Sequence, residues 1–182
     1  WLQQELPAML STAFMAVGVF ALFVWMRRRH EIGYLLFFNL AATGFLRGLH
    51  FYTDLPIAND WFAWLTVNAL FWLVTAVHFF LRQLHGRPLI WLTRALVTAT
   101  ILIGVLTLPV LAVLPNTPKV TPLIYLVAAV MGATAGLVGG INAWRVSTEG
   151  RLVAIGILVC TLFGVDDWLL HNNFISPEGW YL

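Results

Sequence analysis

Charge is scarce in this sequence: Asp, Glu, Lys and Arg make up 10% of its 182 residues, against 60% hydrophobic. A soluble domain of this length needs a solvated polar surface that so few charges cannot supply, so the composition points to lipid as the solvent. Lysine occurs once, as Lys119 in a loop, which leaves no lysine within a span for a retinal-type Schiff base. The single cysteine, Cys160, excludes an internal disulfide. A phosphate-cradling glycine loop, a nucleophile elbow and an HExxH motif are all missing, which argues against a soluble-type enzyme. The net charge is only +2, and the basic residues are spread over short loops, so nucleic acid is not expected as a partner.

What the chain has instead is apolar runs of about 20 residues, the length that crosses a bilayer. Six are expected as helices, over 7–26, 32–52, 60–82, 89–113, 122–144 and 152–171. Ser176, Pro177 and Glu178 supply a cap, a proline and a first-turn acid, which predicts a seventh helix beginning near 177. Arg27, Arg28, Arg29, Arg82, Arg87, Arg94, Arg145 and Arg151 fall in or beside alternate connections. By the positive-inside rule those connections are cytoplasmic and the N-terminus is outside. The fold class expected is therefore all-α: a polytopic transmembrane bundle of six spans plus the start of a seventh, forming one domain over 1–182. The chain opens on Trp1 and closes on the first turn of a helix, so a fragment of a longer protein is expected.

Polar residues inside such spans are costly, about 2.5–3.5 kcal/mol for an unpaired Arg or Asp at mid-helix. On the second helix Arg47, His50 and Asp54 share one face at spacings of three and four; on the sixth Asp167 and His171 are four apart, with Asp166 turned about 100° away. Arg47 and Asp167 are expected at similar depth, and pairing them relieves both costs. Three readings stand: a structural ion pair, a ligand site or switch built on that pair, or a sixth helix that ends earlier and leaves the aspartates simply interfacial. Trp61, Trp64, Asn68 and Trp72 share a face of the third helix, and Trp72 lies too deep for the interfacial aromatic belt. The four residues line either a pocket open to the outside or a packed core.

Gly132, Gly136 and Gly140 recur every fourth residue on the fifth helix, a small-residue face for close packing within the bundle or for a homodimer. His50, Asp54, Asp167 and His171 include metal-ligating types but no compact ligand motif, so no metal is expected. Bis-histidine haem would need His50 with His171, and His78 with His30 or His85. His30 and His85 fall at loops, so no cofactor is expected either.

The stretches "FLRGLHFYTDLPIANDWFAWLTVNALFWL" (45–73) and "GVDDWLLHNNFISPEGWYL" (164–182), with the arginine-rich turn after the first helix, resemble the membrane modules of bacterial seven-transmembrane receptors with diverse intracellular signalling modules. The resemblance implies a multi-pass inner-membrane sensor that takes an outer ligand and drives a histidine kinase or diguanylate cyclase outside this chain. It assigns no binding residue. The chain shows no outer domain before the first helix, where the family often carries a β-sandwich. A transporter or channel-like protein is the alternative class, though no inverted repeat supports it. A haem-binding membrane redox protein is the third reading. The partners expected are membrane lipid and an unknown outer ligand.

Overall fold

The computed structural model describes residues 5–49 and 59–159, apart from 112, 116, 118, 147 and 149. The described residues form helices α1 (Glu5–Arg27), α2 (Ile32–Gly48), α3 (Asn59–His85), α4 (Ile90–Leu106) and α5 (Thr121–Trp144). A sixth, α6, runs over Gly150–Val159. No strand occurs among the described residues.

The helix ends follow from local chemistry. α3 stops at Gly86, whose φ of +67° only glycine adopts without strain, and the Gly86 amide donates back to the Arg82 carbonyl at 2.9 Å. Pro122 stands in the first turn of α5, where its missing N–H costs nothing. The end of α4 corrects the expectation of a helix over 89–113. The apolar run continues, but the helix ends at Leu106 and Pro109 follows, unable to donate to a helical carbonyl. The chain instead folds back, with the Leu114 amide donating to Leu106 O at 3.0 Å.

Helix length corrects the expected span count as well. Three helices are long and apolar enough to cross a membrane: α1 over Ala8–Arg27, α3 and α5. α2 and α4 are apolar but have 17 residues each. At a rise of 1.5 Å per residue they reach about 25 Å, short of a hydrocarbon core of about 30 Å. In place of the six expected spans, the described residues hold three membrane-length helices and three shorter apolar ones. The rest of the sixth span and the start of the seventh lie outside the described residues.

α3 is the centre of the arrangement. α1 packs on α2 and α2 on α3, while α4 and α5 both pack on α3. Phe71 of α3, Leu92 and Leu96 of α4, and Ile124, Ala128, Met131 and Ala135 of α5 close into one buried apolar cluster. Small residues set how near the axes come. A Cβ on Gly18 of α1 would overlap Ala41 of α2, and one on Gly139 of α5 would sit 2.6 Å from Leu81 Cδ1 of α3. Lipid gives helices no hydrophobic reason to associate, so such van der Waals contact holds them.

Substitution at these sites separates close packing from open surface. Gly18→Val is expected to destabilise the protein by about 1–3 kcal/mol through overpacking, while Gly156→Ala, whose Cβ meets nothing within 4 Å, is expected to be neutral or stabilising by up to about 1 kcal/mol. Reversible unfolding in mixed micelles, followed by circular dichroism, measures both.

Candidate functional site

α3 carries more polar side chains than a lipid-facing helix tolerates, and α4 covers them. Along the N-terminal half of α3, Trp61, Trp64 and Trp72 stack edge to face, with ring centroids 5.8 Å apart for the first pair and 6.0 Å for the second. Trp61 is exposed and Trp64 and Trp72 are half-buried. Trp64 Nε1 donates to Gly104 O at 3.0 Å. That carbonyl belongs to the last turn of α4, where helix carbonyls lose their partners; the Leu108 amide donates to Val105 O.

Asn68 is completely buried. Its Nδ2 donates to Trp64 O at 2.8 Å and to Thr107 Oγ1 at 3.0 Å. Thr107 Oγ1 spends its own proton on Ile103 O, at 2.6 Å, so it is the acceptor toward Asn68. One turn deeper than Trp72, the hydroxyls of Thr75 and Thr100 meet at 2.9 Å. Still deeper, His78, also completely buried, places Nε2 2.8 Å from Thr93 Oγ1. Thr93 Oγ1 also lies 3.0 Å from Leu89 O; with its proton directed there, His78 Nε2 is the donor to Thr93, and with its proton on His78, Nε2 is the acceptor.

The result is a polar seam along α3 and α4, with four cross-helix contacts: Trp64 to Gly104, Asn68 to Thr107, Thr75 to Thr100 and His78 to Thr93. Two polar atoms in it, Asn68 Oδ1 and His78 Nδ1, are buried without a hydrogen-bond partner among the described residues. Below the seam, His85 Nδ1 accepts from the Arg87 amide at 3.0 Å, and Arg87 Nη1 donates to Asn142 Oδ1 at 2.9 Å. That bond fastens the α3–α4 turn to the end of α5.

The structure brings Trp61, Trp64, Asn68 and Trp72 together, as their spacing predicts, and turns Asn68 toward α4 inside protein. Arg47 places its guanidinium 5.5 Å from the centroid of the Tyr125 ring, linking α2 to α5 by a cation–π contact. His50, Asp54, Asp166, Asp167 and His171 lie outside the described residues. Of the small-residue face on α5, Gly132 approaches Val74 of α3 and Gly140 approaches Ala154 of α6, at 3.5 and 3.8 Å from an added Cβ, and Gly136 is half-buried. The tightest approach on α5 falls at Gly139, outside the four-residue series.

Sequence reasoning missed Thr75, Thr93, Thr100 and Thr107, and considered His78 only as a haem ligand. A signal was there: Thr93, Thr100 and Thr107 recur every seventh residue, as do Asn68 and Thr75. A seven-residue repeat keeps one stripe of a helix against a neighbour.

Removing a hydroxyl from the seam tests it. Thr93→Val and Thr107→Val are each expected to cost about 0.5–2 kcal/mol, while Thr98→Val, on an exposed position of the same helix, costs less than either; unfolding in micelles reads the difference. Compared with protein-family models, curated proteins and solved structures, the chain matches none.

Proposed function

We propose that this chain is the transmembrane signal-sensing module of a bacterial signal-transduction protein, of the sensor histidine kinase type, with the kinase carried by sequence outside this chain. In this reading it sits in the inner membrane with its N-terminus outside, and its basic turns face the cytoplasm. The stretches 45–73 and 164–182, which resemble seven-transmembrane receptor modules, support the reading. The structural observation that carries it is the polar seam topped by Trp61, Trp64 and Trp72.

A sensor needs two packings close in free energy, so that a ligand's differential affinity can choose between them. An apolar helix interface has no specific bonds to exchange. A seam of hydrogen bonds does, and each such bond inside a membrane contributes about 0.6 kcal/mol on average. The α3–α4 contact is therefore specific in register yet weak enough to be reset. An outer ligand that engages Trp61 and Trp72 would draw Trp64 off the Gly104 carbonyl and loosen the top of α4. The displacement would reach the basic turn, where Arg87 ties α3 and α4 to α5. Arg47, stacked on Tyr125, couples α2 to the same outer region, and its pairing with Asp167 would make it a second switch point.

Autophosphorylation of the full-length protein in vesicles tests the proposal. Trp64→Phe and Asn68→Ala, which take one and two donors from the seam, and Arg47→Ala are each expected to shift basal output several-fold or abolish its response, while Thr98→Val leaves both intact. If all three folded variants signal like the parent, the seam is structural only. If the full-length protein instead moves a solute across vesicles without any kinase activity, the transporter class takes its place.

A further inference from the structure

At the end of the helices opposite the tryptophan cluster, α1, α2 and α3 enclose a groove of about 610 Å³ that the signalling reading does not use. Its walls are apolar: Val17, Phe20 and Val24 from α1, Phe37 from α2, and Phe80 and Leu84 from α3. Phe20 is 68% exposed, so the wall is open to the surroundings of the bundle, which for a membrane-length helix is lipid. Gly33 also lines the groove, and a Cβ placed there meets nothing within 4 Å.

Polar groups occur only at the mouth. Glu31 lines it and accepts from Arg28 Nη1 at 3.3 Å, while the next residue along, Arg29, stacks over Trp25 at 5.4 Å. Gln83 lines this groove and also a second of about 470 Å³, whose wall includes Arg82. Glu31 is the one charged residue in the groove's lining, but the turn between the lining residues Val24 and Glu31 carries Arg27, Arg28 and Arg29, with Arg28 bonded to Glu31 itself, so three positive charges stand against one negative at this end. The Arg28–Glu31 pair is surface-exposed, at 63% and 37% for the two side chains, and pairs of this kind are held weakly enough to be exchanged for another anion.

An apolar trough ending in a surplus of guanidinium groups is complementary to a molecule with a hydrocarbon tail and an anionic head. We propose that the groove binds an anionic glycerophospholipid of the cytoplasmic leaflet, a side that rests on the topology proposed above, with one acyl chain along α1–α3 and the phosphate at the Arg27–Arg29 turn, beside Arg28. A zwitterionic lipid offers the same tail but no net charge to meet the arginines. Such a lipid would wedge α1 and α2 against the inner half of α3 and stabilise that packing.

Native mass spectrometry of the purified chain, released from nanodiscs containing equal dioleoylphosphatidylglycerol and dioleoylphosphatidylcholine, tests this, because the two lipids differ only in headgroup. The parent is expected to retain phosphatidylglycerol preferentially. Arg28→Gln is expected to lower that retention roughly fivefold, the size of one basic residue's attraction to an anionic surface, and to leave phosphatidylcholine unchanged. Gly33→Leu, which fills the groove and improves local helix propensity, is expected to displace both lipids with helicity intact. Equal retention of the two lipids by the parent overturns the headgroup assignment. Undiminished phosphatidylglycerol on Gly33→Leu, or a lipid-free dimer that Gly33→Leu dissociates, overturns the groove.

Discussion

A helix that carries a fully buried asparagine and a fully buried histidine can exist in lipid only if something other than lipid covers them. α3 has both, Asn68 and His78, and α4 answers with threonines at matching depth. Thr107 spends its own proton on Ile103 O and offers only its lone pairs to α3, so Asn68 donates there. These pairs set the register in which α4 docks on α3, and α3 presents its other faces to α2 and α5. Gly139 lets α5 close on Leu81, and Gly18 lets α1 close on Ala41. The bundle is built outward from α3 by these two devices, polar pairing on one face and small-residue contact on the others.

The same economy bears on function. Hydrogen bonds make the α3–α4 interface specific, yet each is worth little in a membrane because a displaced partner can find other donors and acceptors nearby. Small residues make the other interfaces close without directional bonds. The proposed function places its switch at the interface with discrete, weak contacts, which adjoins the tryptophan cluster. The basic turns at the far end are a separate feature, with Arg87 tied to Asn142 and Arg28 to Glu31. The seam thus joins the aromatic half of α3 to its basic end; under the proposed function it is the path along which a change would travel.

How much of this could be seen in the sequence depends on the kind of residue. Apolar runs and the arginine triplet mark the helices well, and Gly86 with Pro88 marks the turn between α3 and α4. The end of α4 was misjudged because "LPVLAVL" stays hydrophobic past Pro109: hydropathy measures affinity for lipid, whereas the missing N–H decides whether a helix continues. Trp61, Trp64, Asn68 and Trp72 were legible as a face because large aromatic rings at helical spacing are rare. Their threonine partners were not, since a lone threonine in an apolar helix commonly bonds back to its own carbonyl. Only aligning the seven-residue intervals of two different helices makes them visible. On α5 the four-residue glycine series drew attention from Gly139, which belongs to the buried stripe through Ile124, Ala128, Met131, Ala135 and Ala143.

The most direct test of the seam is whether α3 and α4 meet in the register that the hydrogen bonds require. In a Cys160→Ser background, Thr75→Cys with Thr100→Cys replaces two hydroxyls that stand 2.9 Å apart. This pair should oxidise to an intramolecular disulfide in native membranes. Thr75→Cys with Thr98→Cys, whose second position is exposed away from α3, should not. Efficient closure of the 75–100 pair alone is what the account predicts; closure of the 75–98 pair in its place would contradict it.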